Sequence, residues 1–220
     1  MEQKVTILRR RKTGCPRMKV NRTGEMEYLT FPAFDQTEEV TCLVSTRLGG
    51  VSTGDCASLN FSYLRDTNQA AVDENFRRMA EVFGTQPDAF VCSDQTHTVN
   101  VRRVTEADRG KGVTRPRDYS DTDGLVTDVP GLILSTFYAD CVPLLFFDPV
   151  HRAVGCSHSG WRGTVGEMGK ATVEAMKTHF GSRPEEILAA IGPSICRDCY
   201  EVGEEVLSLI HISEPTRRRG

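Results

Sequence analysis

The sequence lacks the features that mark membrane, secreted and nucleic-acid-binding proteins. No apolar run among its 220 residues is long enough to span a bilayer, and its first residues, MEQKVTILRRRKTG, contain no apolar signal core. A net charge of -3 argues against a general nucleic-acid binder, which would carry a basic surface. We therefore expect a cytoplasmic protein with neither membrane nor nucleic-acid partners.

Segments of low complexity are also missing, and 39% of the residues are hydrophobic, which suffices for a sizeable core. The chain has eight cysteines. They are expected to stay reduced, because a chain of this length without a secretory signal is a poor candidate for a disulfide framework. We expect them to serve as core residues or as ligands.

The apolar pattern predicts an α+β fold. Short apolar runs bounded by turn residues indicate strands, and longer amphipathic patterns that stop at glycine indicate helices. Strands are predicted at residues 4–8, 26–31, 40–46, 89–93, 99–105, 132–137, 142–147, 153–156 and 187–191, helices at 70–83 and 164–180 with another starting at 201–207, turns at 13–14 and 21–24, and a polar loop at 108–121.

Three potential metal ligands, His97, Cys141 and His158, stand at the ends of predicted strands. Two imidazoles and one thiolate, with no obvious fourth protein ligand, are typical of a catalytic zinc site that keeps one position open. The same donors also suit copper, so the ligand types alone leave the metal open.

Two other interpretations of Cys141 stand beside the metal site on the residues alone. The cysteine could be a nucleophile activated by His158 or His97 and oriented by Asp140. It could equally be a small buried residue, as free cysteines often are. A single CxxC, Cys196 to Cys199, is weak evidence for zinc, and a pair of core or surface thiols is the simpler interpretation.

Two glycine-containing turns are candidates for anion binding. Arg47 precedes a glycine pair whose loop is either a hairpin turn with an exposed arginine, which the residues favour, or a nest of backbone amides. The turn that holds His158 leads into a helix and allows a ligand to approach the backbone closely. Asp140, Cys141, His158 and Arg162 are therefore expected to share one cleft.

Several motifs in fixed order resemble those of the YfiH/LACC1 family of laccase-domain proteins, also called polyphenol oxidases. The resemblance covers residues 29–207 approximately and rests on STRLGGVS, SLN, SDQTH, ADCVPLLFFDP and HSGWRG. It implies a YfiH/CNF1-like fold of mixed sheets packed together and flanked by helices. It also implies zinc held by His97 of the QxH motif, Cys141 of ADC and His158 of HxGWRG.

The resemblance further implies a purine nucleoside phosphorylase, in which phosphate displaces the base of adenosine, inosine, guanosine or methylthioadenosine, with adenosine deamination as a second activity. On chemical grounds Arg47 and Arg162 are candidates for binding phosphate, since a guanidinium can bind two of its oxygens. Asn60 resembles a family position near the nucleoside. Gln95 is expected to orient a ligand or the base, and Trp161 to stack on the purine or pack in the core.

Members of this family continue several tens of residues further, so we expect this chain to be truncated. Its final segment, 208–220, is expected to be an atypical tail outside a single catalytic domain at 1–207, which leaves His211 outside the site. Two alternative functions stay open. One is a copper-dependent polyphenol oxidase, against which the total of five histidines argues. The other is a catalytically inactive binding protein with the same fold.

Overall fold

The computed structural model describes residues 18–196 and 198–213. The predicted strand at 4–8, the turn at 13–14 and the end of the predicted tail, 214–220, lie outside the described residues. Among the residues described, no helix has the length and apolar character that crossing a bilayer requires.

Ten strands and five α-helices follow one another in the described ranges. In chain order they are β1 (Lys19–Thr23), β2 (Met26–Thr30), α1 (Pro32–Asp35), β3 (Leu43–Ser45), α2 (Gln69–Val82), β4 (Phe90–Cys92), β5 (Val101–Arg103), β6 (Gly124–Thr127), β7 (Ile133–Ser135), β8 (Val142–Asp148), β9 (Ala153–Ser159), α3 (Trp161–Val165), α4 (Met168–Phe180), β10 (Leu188–Ile191) and α5 (Glu204–Ser213).

The main sheet has five strands in the order β10-β8-β9-β6-β5. Its neighbours are antiparallel except for β5 and β6, which run parallel. Two smaller sheets accompany it: the meander β1-β2-β3 and the parallel pair β4-β7. The expected class of mixed sheets with flanking helices is thus confirmed. Strands β6 and β9 are buried along almost their whole length.

Helices cover the sheets through apolar stripes at helical spacing. The stripe on α2 includes Val72, Phe76 and Met79, which pack with Phe90 in one buried cluster. Helix α4 buries Met176 against β6, β8 and β9. The Asn68 side chain accepts a hydrogen bond from the Ala71 amide at 3.3 Å and so caps the first turn of α2.

Most predicted strands and the helix at 70–83 are present with shifted or shortened ends, but three other predictions are wrong. The helix expected at 164–180 is two helices, because Glu167 between them takes a left-handed conformation with φ 59°. Residues 21–23 belong to β1, and the turn is confined to Gly24 and Glu25. The helix expected to stop near 207 continues as α5 to Ser213.

The polar loop at 108–121 is held against the body of the protein by a buried ion pair. Lys111 Nζ lies 2.7 Å from Asp108 Oδ1, and the two side chains are 10% and 5% exposed. Arg102 and the Thr105 amide also donate to the Asp108 carboxylate, at 3.1 and 2.9 Å. Burial opposes the charge on Asp108, but the hydrogen bonds from Lys111, Thr105 and Arg102 outweigh it and hold its pKa well below the ordinary value.

Replacing this lysine should destabilise the fold. We expect Lys111→Met to lower the free energy of unfolding by about 2 kcal/mol, because it leaves a buried carboxylate with fewer donors. The loss should shrink below about pH 4, since a carboxylate with a lowered pKa stabilises the folded state only while it is ionised. Urea denaturation at several pH values measures both effects.

Lys170→Met is the matched control, because the ion pair of Lys170 with Glu167 is exposed at 68% and 66%. Its effect should stay within about 0.5 kcal/mol. Equal losses in the two variants would contradict the structural role given to Lys111.

Candidate metal centre

The structure brings the three predicted ligands together at one end of the main sheet. Cys141 directly precedes β8, and His158 lies on β9, where Pro143 is its antiparallel neighbour. His97 comes from the loop between β4 and β5. The candidate ligand atoms all lie within 4.8 Å of one another, and His97 Nε2 is 3.9 Å from Cys141 Sγ.

These distances fit a metal ion. Zinc binds imidazole nitrogen at about 2.0 Å and thiolate sulfur at about 2.3 Å, so two tetrahedral ligands lie about 3.5 Å apart. The two imidazole rings meet edge to face, with centroids 4.9 Å apart. His158 Nδ1 bonds Asp123 at 2.8 Å, which leaves its Nε2 free to bind a metal. His97, Cys141 and His158 could therefore hold an ion such as zinc or copper.

A fourth residue, Asp123, connects two of the three ligands. Its fully buried carboxylate precedes β6 and accepts the His158 Nδ1 hydrogen bond through Oδ1. The same carboxylate accepts the backbone amides of Thr96, His97 and Thr98 at 3.1, 3.1 and 2.8 Å, and the Thr98 hydroxyl at 2.9 Å. One side chain thus orients His158 and shapes the turn that presents His97.

That turn is strained at the ligand itself. His97 has φ 67°, in the left-handed region that residues with a side chain seldom occupy. Such a conformation costs about 1–3 kcal/mol and persists where the surroundings enforce it. The three amide hydrogen bonds to Asp123 supply that enforcement.

The electrostatics of the site suit metal binding. Burial lowers the pKa of His158 despite the opposing effect of Asp123, so its imidazole is neutral near pH 7, the form that binds metals. Burial alone would raise the pKa of Asp123. The hydrogen bonds that its carboxylate accepts from the Thr98 and Thr96 amides and from His158 outweigh burial, so the pKa is lowered and the carboxylate stays ionised. Burial, followed by the charges of Asp140 and Asp123, raises the pKa of Cys141.

A raised pKa disfavours the Cys141 thiolate that a nucleophile needs. A bound cation reverses this preference, because a coordinating thiol loses its proton. The surroundings of Cys141 therefore support a metal ligand better than an unassisted nucleophile.

Because Gly160 has no side chain, there is room for His97 and Cys141 to meet beside it. A Cβ atom there would lie 2.8 Å from His97 Cδ2 and 3.1 Å from Cys141 Sγ. His97 is exposed, whereas His158 is buried. The centre is therefore open to solvent on the side of His97. On the opposite side the backbone at Gly160 lies so close to the ligands that no side chain fits there.

Three of the residues predicted to bind substrate use their side chains in hydrogen bonds within the protein. Arg47 Nη2 donates to the carbonyl oxygens of Asp55 and Ala57 at 2.9 and 2.7 Å. Asn60 Oδ1 accepts the Ser62 amide at 3.2 Å. The Gln95 side chain donates through Nε2 to the Phe137 carbonyl and accepts the Phe137 amide through Oε1, at 2.7 Å in each case.

Arg162 differs from these three residues. It lies exposed on α3, and its guanidinium carbon sits 4.4 Å from the centroid of the Trp161 ring. With the described residues the Arg162 side chain forms neither a hydrogen bond nor an ion pair. Its charge is thus available to a ligand.

The role of Asp123 was missing from the sequence analysis. The available signal was an acidic residue directly before a fully buried strand, since a buried carboxylate requires donors or a cation. The identity of the donors depends on contacts across 25 to 35 positions of the chain.

Comparisons with known proteins agree in one family. A model described as "Multi-copper polyphenol oxidoreductase laccase" matches residues 41–218. Purine nucleoside phosphorylase YlmD of Bacillus subtilis is 40% identical over 177 residues, 79% of this chain and 63% of that protein. Adenosine deaminase RL5, from an unknown prokaryotic organism, is 40% identical over 130 residues, 59% of this chain and 49% of the relative.

A solved structure extends the likeness to the fold. The crystal structure of hypothetical protein YfiH of Bacillus licheniformis has a TM-score of 0.79 at 35% identity, covering 89% of this chain and 72% of that one. The chain spans about three fifths of the length of the Bacillus subtilis relative, whose coverage is 63%.

Removing the Asp123 charge should weaken metal binding. We expect Asp123→Asn to reduce zinc affinity by about 10- to 100-fold, because an outer partner that orients a ligand contributes that much. Competition with a chelating dye measures the affinity, and circular dichroism checks the fold. Thr98→Val removes only one hydroxyl donor to Asp123 and gives a milder test if the first variant unfolds.

Asp55→Asn is the control, because Asp55 is an exposed carboxylate outside the ligand cluster. It should change the affinity by about fivefold or less. A folded Asp123→Asn protein with unchanged zinc affinity would contradict the orienting role of Asp123.

Proposed function

The chain belongs to the multi-copper polyphenol oxidoreductase laccase family, and from that membership we propose that it carries the zinc centre of a purine nucleoside phosphorylase. The relative named purine nucleoside phosphorylase supports purine nucleosides and phosphate as substrates. The observation that carries the proposal is the grouping of His97, Cys141 and His158, with the exposed Arg162 four residues beyond His158.

Zinc is the metal we propose for this centre. Two imidazoles and a thiolate with an open position are typical of catalytic zinc. A multicopper cluster needs many histidines, whereas the sequence holds five in total. When bound, the ion would supply positive charge that stabilises negative charge developing on the purine.

In phosphorolysis a phosphate oxygen attacks the ribose C1', and the bond from C1' to the base nitrogen breaks. The electron pair of that bond leaves with the base, whose nitrogen takes up a proton from phosphate or water, and the products are free base and ribose 1-phosphate. The protein must hold phosphate close to the sugar and exclude competing attack by water. Arg162 is the better candidate for binding phosphate, because its guanidinium is exposed and has no ion pair within the described ranges, while that of Arg47 is held by loop carbonyls.

The remaining predicted residues have positioning roles in this proposal. The Arg47 guanidinium donates to the Ala57 carbonyl and so holds the loop at 54–58. The side chain of buried Asn75 donates to the Asn60 carbonyl at 2.7 Å and so holds the Asn60 backbone. Gln95 joins the end of β4 to the Phe137 backbone and so fixes the segment that leads to His97. Asn60 keeps its proposed place beside the nucleoside, with its side chain organising the turn to Ser62.

Adenosine deamination is the second candidate, favoured by the relative named adenosine deaminase. In that reaction water replaces the amino group at purine C6 and ammonia leaves. Both reactions need a purine held at the same centre, and they differ in whether the sugar bond or the amino group is attacked. Only the first requires phosphate.

The first test is phosphate-dependent release of base by zinc-loaded protein. We expect free adenine and hypoxanthine from adenosine and inosine only when phosphate is present, measured by liquid chromatography. Cys141→Ala should lower the rate by more than about a hundredfold, because it removes a ligand. Cys56→Ser, at a half-buried thiol away from the ligand cluster, should match the parent protein.

Each other outcome points to a different function. Ammonia release from adenosine without phosphate would favour the deaminase. Folded, zinc-loaded protein that releases neither base nor ammonia would refute both activities and favour a binding protein of this fold.

The second test concerns phosphate. We expect Arg162→Ala to raise the KM for phosphate by about 10- to 100-fold, the value of a lost charge-assisted hydrogen bond pair. The KM for nucleoside should change little. Arg22→Ala, which removes an exposed arginine on β1, controls for net charge. A phosphate KM that moves equally in both variants would contradict the phosphate-binding role of Arg162.

A further inference from the structure

A pair of thiols lies outside the metal centre, in the segment between β10 and α5. Cys196 Sγ and Cys199 Sγ are 3.1 Å apart, and both residues are exposed. The Cys199 amide also donates to the Cys196 carbonyl at 3.0 Å, so the backbones of the two cysteines are in contact as well as their sulfur atoms. The other described cysteines are buried or half-buried.

This turn runs beside the metal centre. The Ile195 amide donates to the Asp140 carbonyl at 3.0 Å, and the Gly192 amide donates to the Pro143 carbonyl at 2.9 Å. These two hydrogen bonds tie the segment to the residues on either side of Cys141. The thiol pair is thus attached to the backbone that presents a predicted ligand.

The two thiols differ in acidity. The hydrogen bond with the Cys199 side chain, followed by hydrogen bonds with the Cys199 and Asp198 backbone, lowers the pKa of Cys196 below its ordinary value. The Cys199 pKa is raised, first by its hydrogen bond with Cys196 and then by the charge of that neighbour. By contrast, burial raises the pKa of Cys92 to about 12. An exposed thiol with a lowered pKa and a second thiol within reach is the arrangement found in reactive dithiols.

We propose that Cys196 and Cys199 form a redox-active dithiol that is oxidised by small-molecule disulfides to an intramolecular disulfide. The geometry carries this inference, since the sulfur atoms need to approach by only about 1 Å to reach the bond length of about 2.05 Å. The proposal is independent of the phosphorylase assignment, because it concerns neither the nucleoside nor the metal ligands.

The chemistry proceeds in two exchange steps. The Cys196 thiolate attacks one sulfur of the small disulfide, which forms a mixed disulfide and releases one small thiolate. The Cys199 thiol then gives its proton to solvent and attacks Cys196 Sγ, which forms the protein disulfide and releases the second small thiolate. In sum two protein thiols are oxidised, and one small disulfide is reduced to two thiols.

The test uses the full zinc-loaded chain and oxidised glutathione as the probe. After oxidation, free thiols are alkylated and the protein is digested with trypsin, which cleaves after Arg197 between the two cysteines. We expect the two peptides to stay joined through Cys196 and Cys199, and to separate after reduction. Cys56→Ser should leave this result unchanged.

Single substitutions test the order of attack. Cys199→Ser keeps a hydroxyl donor beside Cys196, and it should accumulate glutathione on Cys196 because no thiol resolves the mixed disulfide. Cys196→Ser should take up glutathione on Cys199 at least about tenfold more slowly, given the higher pKa of that thiol.

Three results would overturn the proposal. The first is complete alkylation of both cysteines after exposure to oxidised glutathione. The second is a disulfide that joins either of them to Cys141. The third is equal uptake of glutathione by the two single variants.

Discussion

The buried carboxylate of Asp123 is the interaction on which the candidate site depends. It accepts hydrogen bonds from the turn at 96–98 and from His158 on β9, two parts of the chain separated by about sixty positions. A buried charge is costly unless donors surround it, so the same hydrogen bonds that orient the ligands also make the charge tolerable. The same set of contacts therefore positions the ligands and compensates the buried charge.

Strand pairing in the main sheet is the second constraint on the positions of the ligands. Antiparallel pairing of β8 and β9 places Cys141 and His158 at the same end, and pairing of β9 with β6 brings Asp123 to that end too. A lowered pKa favours the neutral imidazole of His158, and a raised pKa favours the protonated thiol of Cys141, when no cation is bound. Metal binding must therefore release the thiol proton, which couples affinity to pH through Cys141 more than through His158.

The sequence predicted the parts of this arrangement that depend on local pattern. Apolar runs located β8 and β9, and the positions of Cys141 and His158 at their ends followed from those runs. The split between α3 and α4 was missed, because the amphipathic pattern continues through Glu167 and only its left-handed backbone ends the first helix. The hydrogen bonds of Asp123, Arg47 and Gln95 were also out of reach, because their partners are set by tertiary packing and not by periodicity.

Gly160 has a consequence for how the protein tolerates change. It contributes no ligand atom, yet any side chain there would enter the space between His97 and Cys141. A survey of all substitutions would therefore find position 160 as intolerant as the ligands themselves. Substitutions around this centre are possible on the solvent side, where Arg162 and Trp161 lie. On the backbone side, position 160 has room only for the hydrogen of glycine.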